Sequence, residues 1–231
     1  MTEWIDVQSA DGSFKAYVAR PLALPAPCIV VLQEIFGVNA DLRQTCDELA
    51  AKGYIAVSPD LFWRMKPGLD ITDQTEAEWK QGFDLYTAFD IEKGVDDIRS
   101  TLRAACAIEG ASGKAGLMGY CMGGLLTFIT ASRLHIDAAV VYYGGSSELH
   151  LSEAKTLSSP LMFHVGENDE YISRDAQKQI QAALADRHDV QMFTYPGAKH
   201  AFARHDGINF NADAAASANG RTEAFFAARL V

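Results

Sequence analysis

The chain lacks HxxxH, HEXXH and any clustered His/Asp spacing, so a hydrolytic metal centre has no ligand set, and no cofactor is expected. Its four cysteines, Cys28, Cys46, Cys106 and Cys121, are scattered with no CxxC pair, which points to thiols rather than disulfides. Positive charge is short: 20 Lys and Arg stand against 30 Asp and Glu, a formal net charge of −10. Phosphate neutralisation needs a basic face, so nucleic acid is excluded as a partner. No apolar run approaches the length that spans a bilayer, and Met1-Thr2-Glu3-Trp4-Ile5-Asp6 has no basic or apolar leader character. A cytoplasmic protein that stays off the membrane is expected. Internal repeats and low-complexity linkers are missing too; Ala212 to Ala218 is alanine-rich and reads as helix rather than flexible linker.

With 231 residues, the chain is long for one domain and short for two, and one α/β domain over 1–231 is the expectation. Hydrophobic residues at 48% against 22% charged allow it a sizeable core. Two β-like runs, Ile5–Ser9 and Phe14–Ala19, flank the turn Asp11-Gly12. Strands then alternate with helices. Cys28–Leu32 is a continuous apolar run, as in a parallel strand buried on both faces. Asn39 to Lys52 has helical spacing, with Gly53 at its stop, and Tyr54–Val57 is the next strand. Asp73 to Ala107 reads as two helices meeting near Asp90. Ala115–Met118, Ala138–Tyr142, Leu161–Val165 and Gln191–Tyr195 supply four more strands, with helices from near Met122, near Ser173 and over Ala212 to Arg229. The sum is a mostly parallel sheet of about eight strands with helices on both faces.

The string Gly119-Tyr120-Cys121-Met122-Gly123-Gly124 falls where a strand ends and a helix begins. A nucleophile elbow needs that context, because small flanking residues let a strained turn lift the nucleophile clear of the sheet. The nucleophile here is Cys121, a stronger one than serine once deprotonated, and the helix N-terminus favours its thiolate. The Met122 N–H would face a developing oxyanion. Cys28, Cys46 and Cys106 sit inside element bodies and read as buried core thiols.

On this fold an acid and a histidine follow the nucleophile in chain order. The strand Leu161–Val165 runs into Gly166-Glu167-Asn168-Asp169-Glu170, where Asp169 is the best-placed acid and Glu167 and Glu170 read as solvated. His200 follows the last strand; the other histidines, His135, His150, His164, His188 and His205, read as surface or core residues. His200 would then carry the Cys121 proton, with Asp169 fixing its tautomer.

With these residues in order, the sequence resembles the dienelactone hydrolase (carboxymethylenebutenolidase) family of α/β-hydrolases along essentially the whole chain. The marks are Gln33-Glu34-Ile35-Phe36-Gly37-Val38-Asn39, Gly53-Tyr54, Ser58-Pro59-Asp60-Leu61, Ala88-Phe89-Asp90, the elbow, Tyr142-Tyr143-Gly144 and His200-Ala201-Phe202-Ala203-Arg204. The resemblance implies that Glu34 holds the cysteine proton at rest, that Ile35 N–H is the second oxyanion donor and that Arg204 binds a substrate carboxylate. It further implies a monomer acting on a small molecule, an unsaturated lactone or carboxylate-bearing ester. A guanidinium beside the base also suits an acidic protein that must hold an anion. The family's second arginine is missing: Trp79 and Lys80 occupy its region, and no arginine lies between Arg64 and Arg99. Phe83 and Tyr86 are expected to line an apolar part of the pocket. Two other readings stand beside this one: an esterase for a bulkier or neutral carbonyl substrate, and a non-catalytic ligand-binding scaffold.

Overall fold

The elements follow from the apolar runs. The computed structural model describes residues 1–231. In chain order they are β1 (Thr2–Ser9), β2 (Gly12–Ala19), β3 (Ala26–Leu32), α1 (Ala40–Ala51), β4 (Ile55–Pro59), α2 (Glu76–Thr87), α3 (Ile91–Cys106) and β5 (Ala111–Tyr120). There follow α4 (Met122–Arg133), β6 (Ala138–Tyr142), a 3₁₀ stretch (Ser147–Lys155), β7 (Leu161–Gly166), α5 (Arg174–Leu184), β8 (Val190–Tyr195) and α6 (Ala212–Leu230). The strands form one sheet of order β1-β2-β4-β3-β5-β6-β7-β8. Pairing is antiparallel at β1-β2 and β2-β4 and parallel at β3-β4, β6-β7 and β7-β8. This is the mostly parallel α/β sheet expected.

The chain comprises two compact units, Met1–Gly116 and Leu117–Val231. In the first, every residue of β3 and β4 is buried, which explains their unbroken apolar character. Helix starts are capped by side chains: Asn39 accepts from Leu42 N, Thr75 from Glu78 N and Asp90 from Lys93 N. Asp90, the expected meeting point of two helices, is thus the N-cap of α3. Asp97 of α3 is fully buried and accepts from Trp63 Nε1 at 2.9 Å, Ser9 Oγ at 2.9 Å and Arg64 Nη2 at 3.0 Å, so its charge is neutralised and hydrogen-bonded. In the second unit, α4 is buried from Met122 to Ser132. Helix α6 packs on β6 and β7, where His164 bonds Thr222 Oγ1 at 3.0 Å and Tyr195 OH at 2.8 Å.

Two expectations change, at β5 and at Cys106, and one element has no counterpart among them. Strand β5 begins at Ala111, four residues early, because its polar start remains partly exposed and carries no apolar signal. The 3₁₀ stretch has no periodic pattern to reveal it. Cys106 is exposed, not a core thiol, since it ends α3. Cys28 and Cys46 are buried as expected; burial pushes the Cys28 thiol up to about 12 and Cys46 higher still, so neither is reactive.

His164 gives a stability prediction. Burial, helped by the Arg221 charge, lowers its pKa from 6.5 to about 3. The folded state therefore keeps it neutral while the unfolded chain protonates it below about 6.5, so stability present above that pH is lost as pH falls towards 3. The loss accumulates across that window, on the order of 1 kcal/mol per pH unit. Urea unfolding between pH 7 and pH 4 should show this slope, and His164→Gln should flatten it.

Candidate active site

Cys121 sits between β5 and α4 with φ +53° and ψ −113°, a strained conformation for a residue with a side chain. The turn is held by Cys121 N–H donating to Tyr142 O at 3.0 Å. Its tightness depends on glycine. A Cβ at Gly119 would lie 2.2 Å from Gly123 O, and one at Gly124 would lie 2.7 Å from Tyr142 O. The Cys121 side chain stays partly accessible, and the N–H of Met122 opens the first turn of α4, where such groups have no intrahelical acceptor.

The loops after β7 and β8 pass each other closely. A Cβ at Gly166 would lie 2.6 Å from Ala198 O, and Asn168 N–H donates to Ala198 O at 2.8 Å. This contact brings Asp169 and His200 together. Asp169 accepts from His200 Nδ1 at 2.9 Å on Oδ2, and its Oδ1 takes the N–H groups of Tyr171 at 2.9 Å and Ile172 at 3.0 Å. His200 Nε2 is buried and makes no regular hydrogen bond. Burial alone would lower the His200 pKa; the neighbouring Cys121 charge and the Asp169 carboxylate outweigh it and push it up to about 10. Asp169 and His200 are thus joined by a hydrogen bond, and Cys121 lies near enough for its charge to act on the imidazole.

His200 is also held from other sides. Its N–H donates to Glu170 Oε2 at 3.3 Å, and its carbonyl accepts from Asn209 Nδ2 at 3.1 Å. The Tyr143 and Tyr171 rings pack T-shaped against the imidazole, with centroids 5.1 and 4.8 Å away. Arg204 is buried, and its charge bears on the Tyr171 phenol. Glu167 departs from the solvated reading: it accepts from Gly197 N at 2.9 Å and pairs with Arg174 at 2.6 Å, tying the two loops. Glu170 is exposed as expected, yet it holds the His200 backbone. Neither Tyr171 nor Asn209 is among the expected site residues. The adjacency of Tyr171 to Asp169 was an available signal for the first; nothing in the spacing pointed to Asn209.

The other expected site residues belong to the unit Met1–Gly116. Glu34 and Ile35 follow β3 and are buried. Helix α2 packs on this loop at Gly82, where a Cβ would lie 2.8 Å from Ile35 O. Trp79 sets its ring edge-on to Phe36 with centroids 5.3 Å apart and donates Nε1–H to Asp73 O at 2.9 Å. Lys80 is exposed and pairs with Asp84 at 2.6 Å on its own helix. Phe83 is half exposed and touches Tyr86 with ring centroids 5.9 Å apart, so neither is a core residue.

The Dienelactone hydrolase family model matches residues 14–230. The chain belongs to the dienelactone hydrolase family. A carboxymethylenebutenolidase of Pseudomonas putida is 40% identical over 228 residues, covering 98% of this chain and 97% of its own. An Azospirillum brasilense protein, provisionally named a carboxymethylenebutenolidase, is 43% identical over 222 residues, 95% of each chain. A Klebsiella pneumoniae protein, provisionally named a dienelactone hydrolase, has a crystal structure matching with TM-score 0.85 at 27% identity over 98% of both chains. Like the rest of the dienelactone hydrolase family, this chain is an α/β-fold hydrolase of the carboxylic-ester class. No helix is long and apolar enough to cross a membrane.

Proposed function

We propose that the chain opens an unsaturated lactone, or cleaves a small carboxylate-bearing ester, through an acyl-enzyme on Cys121. The observation that carries this is the strained elbow cysteine beside a buried His200–Asp169 pair. Cys121 gives its proton to His200, and the sulfur adds to the acyl carbon. The oxyanion is met by Met122 N–H, together with the Ile35 N–H that the family resemblance assigns. The C–O bond then breaks, the leaving oxygen departs as an enolate or alkoxide, and the imidazolium returns the proton to it. Water, deprotonated by His200, hydrolyses the thioester and frees Cys121.

Glu34 joins this set on the family resemblance alone, as the carboxylate paired with the thiol and its proton at rest. Glu34→Gln should change the rate at which iodoacetamide alkylates Cys121, and an unchanged rate removes Glu34 from the reaction. The protein acts as a cytoplasmic monomer, one domain over 1–231, on a small anionic substrate.

Arg204 supplies the anion anchor, and its burial strengthens a bond to a carboxylate. Arg204→Ala should raise KM by about 10- to 100-fold for carboxylate-bearing substrates and leave neutral esters nearly unchanged. Steady-state kinetics on a dienelactone and on a chromogenic neutral ester test both activity and specificity; equal effects would make Arg204 structural. The second reading, an esterase for neutral or bulkier carbonyl substrates, is favoured by Lys80, whose ammonium is engaged with Asp84 and offers no fork.

A further inference from the structure

A second cleft lies wholly within Met1–Gly116 and shares no residue with Cys121, Asp169, His200 or Arg204. It has a volume of about 440 Å³, within the range of small-ligand sites. Its walls are the outer face of the β1-β2 hairpin and the 60–70 loop, with Trp4, Phe14 and Trp63 as the aromatic lining. The charges on those walls do not balance. Lys15 pairs with Asp6 at 2.8 Å, and Arg43 pairs with Asp70 at 2.9 Å, so each cation is matched by a carboxylate. Asp60 is left over. It is 5% exposed, and its oxygens take only backbone N–H groups, from Phe62 at 3.0 Å and Gly68 at 2.7 Å.

A carboxylate can accept about four hydrogen bonds, and a buried one gains most from a cation because little water screens it. Burial raises the Asp60 carboxyl above its ordinary range despite those two N–H bonds, a sign of that desolvation. The aromatic wall points the same way. One side of Trp63 is taken by the Arg64 guanidinium, 4.2 Å from a ring centroid, and Phe14 stacks on it with centroids 5.7 Å apart. Trp4 meets Tyr17 edge-on and remains half exposed, so its indole offers free aromatic surface to an apolar or cationic group.

We propose that this cleft binds a small organic ammonium compound, its apolar body against Trp4 and Trp63 and its cation directed to Asp60. The simple structural role of Asp60, pinning the 60–68 turn, needs only the two backbone bonds; it explains neither the open cleft nor the lack of a cation beside the carboxylate.

The probe is benzylammonium, with benzyl alcohol as its uncharged counterpart. Indole N–H resonances of ¹⁵N-tryptophan-labelled protein are followed during titration. The signals of Trp4 and Trp63 should move with benzylammonium while that of Trp79 stays, and benzyl alcohol should bind about tenfold more weakly. Trp4→Ala should weaken benzylammonium binding about fivefold with ester hydrolysis unchanged, and Asp60→Asn should erase the preference for the charged probe. Equal affinity for the two probes, or shifts confined to Trp79, would overturn the proposal. Should Asp60→Asn fail to fold, the charge comparison on the wild-type protein and the Trp4→Ala arm decide it alone.

Discussion

Cys121→Ala should reduce kcat/KM for any ester or lactone substrate by on the order of 10⁴-fold or more, with the fold intact. Alanine removes the sulfur that would carry the acyl group in the proposed mechanism. The backbone at Cys121 is already strained at φ +53°, and alanine adds no bulk there, so thermal unfolding should change little. Cys121→Ser separates chemistry from presence: the hydroxyl occupies the same turn but is far harder to ionise, and activity should fall steeply without vanishing. Steady-state kinetics beside a thermal melt of each variant check both statements. Full activity in the alanine variant would remove Cys121 from the mechanism.

Asp169→Asn carries the next largest effect. The Asp169 carboxylate does two jobs at once, taking His200 Nδ1–H on Oδ2 and the backbone N–H groups of Tyr171 and Ile172 on Oδ1. Asparagine can keep its oxygen on the two backbone donors. Its amide nitrogen must then face Nδ1, which forces the imidazole into the opposite tautomer, with the hydrogen on Nε2 facing Cys121. A base protonated there cannot accept the thiol proton. We expect a fall of about 10³-fold in kcat with KM little changed. The raised His200 pKa should fall as well, since burial lowers it and Asp169 is one of the groups opposing burial. NMR titration of the His200 ring measures that shift. An unchanged pKa together with unchanged kcat would make Asp169 a loop-holding residue only.

The strands were legible where burial writes itself into the chain. Ala138–Tyr142 is wholly apolar and wholly buried, and its bounds match the expectation to the residue. Where a strand runs out into solvent, as Ala111 to Lys114 of β5 does, polar residues erase the signal. The order Cys121, Asp169, His200 was readable because each follows a recognisable strand. What joins them was not: the close pass of Gly166 under Ala198, and the hold of Asn209 and Glu170 on the His200 backbone, are contacts between separate loops. No local pattern encodes such contacts. The same holds for the cleft at Trp4 and Asp60, assembled from segments over 50 residues apart.

In the proposed mechanism the acyl group passes through the sulfur of Cys121. Rapid acid quench during turnover of a slow chromogenic ester, followed by intact-mass measurement and peptide mapping, tests it most directly. A burst of leaving group equal to the enzyme present should appear, with an acyl mass on the peptide containing Cys121. An acyl mass on any other residue would contradict it.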